Sequence, residues 1–189
     1  DNGGRDYWGN PVDKRKKPNI GAYNGEGISY ADKAMTDKAR EMSYVLKIGE
    51  DSFTSRGERK SVDTERGGTA YVADGVTMVP ISFFENAFGA ELCWNFEKQT
   101  AELVYCGRKY EFSPQSTNAA SYGCYYTSVN EDVVYYPEGS GIELGAAPEV
   151  RGAVLYVPLR PVAEKIGKSV LWNAGEIIIT GNARLYEGI

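Results

Sequence analysis

Cys93, Cys106 and Cys124 are the only thiols in this 189-residue chain, and it contains no histidine. A cysteine nucleophile needs an imidazole base, and a structural zinc site needs four clustered N or S ligands. The absence of His therefore removes Ser-His and Cys-His catalysis, the HExxH zinc site and the ordinary physiological-pH switch. Three scattered thiols are too few for a cysteine-only metal site, so no zinc or copper is expected. In an oxidising compartment Cys106 and Cys124 are the disulfide candidates: closing the loop between them would add roughly 3 kcal/mol by restricting the unfolded chain. Cys93 is left over. It reads either as a small buried hydrophobe on a strand or as an odd thiol available for an intermolecular bond.

Other side chains offer binding rather than bond-making. Tyr122, Tyr125, Tyr126, Tyr135 and Tyr136 crowd into a stretch that also holds Val133 and Val134. Tyrosine joins a flat apolar ring to a polar tip and suits wet interfaces, which makes these five the candidate ligand-binding residues. The same stretch also reads as two β-hairpin strands rich in residues that fit a pleated sheet. From Ser113 to Val150 there is no Lys or Arg, while Glu131, Asp132, Glu138, Glu143 and Glu149 are present. That stretch could supply calcium ligands, which leaves calcium open, but it lacks the Asp-x-Asp-x-Asp loop of a specific calcium site. Lys14, Arg15, Lys16 and Lys17 form a basic tetrad, read as a solvated loop or as an assembly surface for an acidic patch or an anionic wall polymer. Arg160 and Glu164 are spaced as a helix-surface ion pair, worth a few tenths of a kcal/mol. Plentiful Asp and Glu keep a carboxylate-dependent hydrolase open as an alternative.

These residues are positioned by a repeat. Val79-Pro80, Gly89 and Trp94-Asn95 recur without a gap as Val157-Pro158, Gly167 and Trp172-Asn173. A repeat of this kind signals one supersecondary unit used twice. In the second copy Val154 to Val157 read as a strand, and Pro158 suits a first helical turn. Leu159, Val162, Ala163 and Ile166 give one buried helix face, and Gly167 fits the left-handed position that ends the helix. Val170 and Trp172 then share one face of a returning strand. In the first copy Ile81, Phe84, Ala87 and Phe88 make the helix face, Gly89 stops it, and Leu92 and Trp94 begin the return. On this reading both tryptophans belong to the core, and Trp172→Ala should cost about 3–5 kcal/mol.

The segment VPLRPVAEKIG followed by VLWN resembles the stalk-type repeat named after the N-terminal domain of copper amine oxidase, found in secreted and surface proteins of Gram-positive bacteria. The run YVLKIGEDSFTSRGERKSVD is similar to that family's opening hairpin. The first copy departs from the pattern, with Ser82 where Arg160 stands and Asn86 where Glu164 stands. The resemblance implies a spacer or attachment module without a defined reaction. It does not imply copper, because the copper of amine oxidases is held by histidines. No cofactor is expected, and the chain is read as no enzyme.

A net charge of −5 argues against nucleic-acid binding, which relies on neutralising phosphates. No apolar run is long enough to span a membrane. A chain that starts at Asp1 suits a secreted product after loss of a leader, and equally a shortened chain. The expected organisation is an N-terminal arm with a short helix (1–41), a first repeat unit (42–114), a Tyr-rich acidic hairpin or connector (115–140) and a second unit (141–189). The expected fold class is α+β: two βαββ-like units, short helices on antiparallel sheets, and an extended arm. The leading function is a secreted or cell-surface structural or adhesive module. Its partners would be further copies or surface-protein neighbours. One route to a filament is for the arm, through Pro18 to Tyr23 or Gly27 to Tyr30, to add a strand to a neighbour's open sheet edge. The alternative is a carbohydrate- or cell-wall-binding module using the Tyr-rich segment.

Overall fold

The computed structural model describes residues 40–95, 97–127, 133–173 and 175–181. The basic tetrad Lys14 to Lys17 and the arm segments expected to add strands lie outside the described residues, as do Glu131 and Asp132.

The repeat is real in three dimensions and longer than its sequence signature. The first copy is β4 (Tyr71–Ala73), β5 (Val76–Pro80), α1 (Ser82–Phe88) and β6 (Glu91–Asn95). The second is β11 (Glu149–Arg151), β12 (Val154–Pro158), α2 (Leu159–Lys165) and β13 (Ser169–Asn173). Gly89 and Gly167 take φ of +70° and +80°. In that left-handed conformation the Gly89 N–H reaches back to the Glu85 carbonyl and the Gly167 N–H to the Glu164 carbonyl, which ends each helix after two turns.

The expected α+β balance does not form. Among the described residues fourteen strands in three antiparallel sheets carry the fold, and each of the two helices has only seven residues. The physical reason lies outside the repeat. The stretches before and between the copies are themselves strands, and the stop glycines leave each helix too short to form a layer.

The sheets interleave the copies. β5 and β12 pair antiparallel with Val79 opposite Val157, two equivalent positions of the repeat, so a local pseudo-twofold axis passes between them. This pair is the centre of a four-stranded sheet in the order β11-β12-β5-β4. The first copy continues through β7 (Thr100–Tyr105), β8 (Arg108–Phe112), β9 (Asn118–Tyr126) and β10 (Val133–Glu143) into a sheet ordered β6-β7-β8-β9-β10. The second copy continues only into β14 (Glu176–Thr180). Its sheet is completed by β1 (Tyr44–Lys47), β2 (Ser52–Ser55) and β3 (Glu58–Ser61), strands that precede the first copy in the chain, in the matching order β13-β14-β1-β2-β3.

One continuous core joins both copies. Phe53 of β2, Phe83 and Phe84 of α1, Leu103 of β7, Leu159 of α2 and Ile179 of β14 are all essentially inaccessible and belong to the same cluster. Phe83 meets Phe53 edge to face, with centroids 5.2 Å apart. Of the helix faces read from the sequence, Phe84, Leu159, Val162, Ala163 and Ile166 are buried here, Ile81, Ala87 and Phe88 are half-buried against the same cluster, and Phe83 is added. Trp172 is not: it is 54% exposed, which overturns its assignment to the core. Trp94 is half-buried against the core.

Candidate functional site

The tyrosines expected to meet a ligand are brought together on β9 and β10. The strands pair antiparallel with Tyr126 opposite Val133, Tyr135 opposite Cys124 and Pro137 opposite Tyr122. Strand alternation places Tyr122, Tyr126 and Tyr135 on one face and Tyr125 and Tyr136 on the other. Lys109 Nζ, on β8, lies 4.9 Å from the ring centroids of both Tyr122 and Tyr135, and 3.5 Å from a Glu102 oxygen. Partial burial pushes the Tyr135 hydroxyl above its usual pKa, and Cys124, Glu91 and Glu102 push the same way. On the other face Tyr125 and Tyr136 have centroids 6.1 Å apart. The Tyr136 ring lies over Gly123, where a Cβ would come within 2.5 Å of it, so only glycine admits this ring. Tyr125, Tyr126, Tyr135 and Tyr136 are all exposed, and Tyr122 is half-buried.

Cys106 occupies the turn between β7 and β8 at φ +47°, while Cys124 lies on β9 and donates to the Gly107 carbonyl at 2.8 Å. Both are free thiols, as is Cys93, which is exposed on β6 rather than buried there. Its neighbours Leu92 and Trp94 take the core-facing side of the strand, leaving Cys93 toward solvent. Among the described residues no three of His, Cys, Asp and Glu converge as metal ligands.

Arg160 and Glu164 form an exposed ion pair at 3.4 Å, and Arg160 also donates to the Val170 carbonyl at 2.7 Å, tying α2 to β13. Asn86, which stands where Glu164 does, instead donates to the Val62 carbonyl at 3.1 Å. A polar cluster that the sequence reading missed spans the outer strands of the central sheet. Tyr71 donates to Glu149 at 2.9 Å, Arg151 bonds the same carboxylate at 2.9 Å, and the guanidinium lies 4.0 Å from the Tyr71 ring centroid. Burial, then the bond to Glu149, pushes the Tyr71 hydroxyl up to about 12. The hydrogen bonds from Arg151 and then Tyr71 hold Glu149 below its ordinary value.

Two concavities are related by the pseudo-twofold. Each takes a hairpin from one copy and the helix start and returning strand from the other. The first, of about 500 Å³, sets Val72 and Val76 of the β4–β5 hairpin against Leu159 and Arg160 of α2 and Trp172 of β13. The second, of about 610 Å³, sets Val150 and Val154 of the β11–β12 hairpin against Ile81 and Ser82 of α1 and Trp94 of β6. Only the second is also bordered by the loop from Asp63 to Arg66 and by Gln99. That loop is firmly held. The Asp63 carboxylate accepts from the N–H groups of Glu65, Arg66 and Gly68, and Arg66 donates to the Ala153 carbonyl of the other copy at 2.6 Å. Neither cleft is contiguous in sequence, and periodicity within one copy gives no sign of them.

A family model described as the copper amine oxidase N-terminal domain matches residues 58–180, a span that runs from β3 to the end of β14. No curated protein and no solved structure matches the chain.

Proposed function

The chain belongs to the copper amine oxidase N-terminal domain family, a non-catalytic domain family, and on that premise we propose that it is a structural module of an extracellular surface assembly. It holds no reaction of its own and joins to further copies or neighbouring surface proteins. The family name carries no activity to this chain, which has no imidazole with which to ligate copper as amine oxidases do.

The observation that carries the assembly reading is the β9–β10 margin. β10 is the terminal strand of its sheet among the described residues, and it presents exposed Val133, Tyr135 and Tyr136 beside exposed Tyr125 and Tyr126. A long edge strand with exposed aromatic side chains is a template for pairing with another chain. A second feature fits presentation. β1 and β14 are adjacent antiparallel strands with Tyr44 opposite Ile179, so the start of β1 and the end of β14 lie side by side. Attachment through those two strand ends leaves the surfaces away from them open to neighbours.

Light scattering over a concentration series tests this. The full chain should assemble. Deleting residues 1–30, which removes the arm expected to supply the added strand, should leave a folded monomer. Tyr136→Lys, which puts a charge on the acceptor edge, should do the same. A full-length protein that stays monomeric at high concentration sinks the proposal.

A further inference from the structure

We infer that the Trp94 cleft is a binding site for a neutral oligosaccharide, with a pyranose ring laid against the indole. The fold supplies its own control, because the repeat builds the same cleft twice and only one copy has the features a sugar needs. In both, a tryptophan at the equivalent position of the returning strand forms a wall. Around Trp172 the neighbours are mainly apolar, with Arg160 held by its bonds to Val170 and Glu164. Around Trp94 the rim carries Thr64, Glu65, Ser82, Glu85 and Gln99.

The lining selects the ligand class. A cleft of about 610 Å³ lies within the usual range of roughly 300–1,000 Å³ for small-molecule sites. A wholly apolar occupant would take Glu65 and Glu85 out of water without giving them partners, which is costly. A phosphate or other anion would face those same two carboxylates, and Arg66, the cation of this rim, is already committed to the Ala153 carbonyl. A compact inorganic cation would pair with those carboxylates but leave the indole and the apolar wall of Leu92, Val150 and Val154 unused. A sugar ring uses both the polar rim and the apolar wall. Its C–H face packs on the indole, and its equatorial hydroxyls donate to carboxylates and exchange bonds with hydroxyl and amide groups. The wall is also preset. Trp94 packs on the core, the facing hairpin is held in the central sheet, and Asp63 braces the rim loop, so little is lost in ordering the site. The inference is independent of the assembly reading, because this cleft uses β6 and the β9–β10 margin is the opposite end of the same sheet.

The test is calorimetric titration of the full chain with the tetrasaccharides of β-1,4-linked glucose and of β-1,4-linked N-acetylglucosamine. A second readout is the rate of Cys93 alkylation, followed by mass spectrometry, since Cys93 is exposed and lines this cleft. At least one sugar should bind saturably and slow modification of Cys93 while leaving that of Cys106 unchanged. Trp94→Ala should weaken binding by about tenfold or more, as expected when the main aromatic contact is truncated. Glu85→Gln, on the solvent side of α1, should weaken it while leaving the fold intact, and Trp172→Ala should leave it unchanged. The inference is overturned if neither sugar binds or protects Cys93, if Trp172→Ala and not Trp94→Ala abolishes binding, or if a lysine-rich peptide occupies the cleft in place of sugar.

Discussion

Trp94 and Trp172 hold the same position in two copies of one unit, yet Trp94 is half-buried and Trp172 is 54% exposed. The backbones around them agree: strand, two-turn helix, left-handed glycine and returning strand occur at the same spacing in both. The difference comes from what the rest of the chain lays beside each strand. Asn95 pairs with Thr100 but Asn173 pairs with Glu176, so the turn after the first tryptophan is longer and brings Gln99 to its cleft. The loop from Asp63 to Arg66 borders the Trp94 cleft and has no counterpart at the Trp172 cleft. A repeat thus preserves the frame while the flanking segments decide which copy has a polar-rimmed cleft beside its tryptophan and which leaves its tryptophan bare.

The comparison breaks most severely at the core. Phe84, fully buried on α1, corresponds to Val162, fully buried on α2. Phe84→Ala should cost about 3–5 kcal/mol, measured by urea denaturation, and Val162→Ala should cost less because fewer atoms are removed. Both variants should still unfold in one transition seen alike by fluorescence and circular dichroism, because the copies share one core. Two separated transitions would show the copies to be independent bodies.

The tryptophans give a smaller and more pointed contrast. Trp94→Ala should cost about 2 kcal/mol, in proportion to its partial burial, and Trp172→Ala should fall within about 0.5 kcal/mol of the parent. Equal losses would erase the asymmetry. Below these lies the polar pair at equivalent sites. Asn86→Ala removes a hydrogen bond to the Val62 carbonyl and should cost about 1 kcal/mol, whereas Glu164→Ala, in an exposed ion pair, should cost a few tenths.

The smallest expected effect is on pH dependence, at Tyr71 and Glu149, which occupy equivalent positions of the two copies. Glu149 has a lowered pKa, so the unfolded chain takes up its proton first as the pH falls. Its contribution is complete above the ordinary carboxylate range and is lost as pH falls through the lowered folded value. Tyr71 has a raised pKa, so its contribution is complete below the ordinary value of 10.0 and is lost as pH rises from there to about 12. Tyr71→Phe should remove this share of the alkaline loss and also move Glu149 back toward its ordinary value. Denaturation midpoints across both pH ranges check both signs. An unchanged alkaline profile would mean that the hydroxyl is not held as the structure shows.

The sequence by itself determined the repeat, its local elements and the family. Those features are local. Glycine ends a helix wherever a left-handed residue is required, and Leu159, Val162, Ala163 and Ile166 mark a buried stripe whatever lies opposite it. The absence of histidine likewise bars imidazole chemistry whatever the fold. Only the tertiary structure decided the fold class, because β1 to β3 complete the second copy's sheet across most of the chain length, a pairing that no window of sequence displays. It also decided the fates of Trp172 and Cys93. Strand alternation says which residues share a face, but not which face the remainder of the chain covers. The clefts were illegible for the same reason: each is built from both copies, brought together by the Val79–Val157 register.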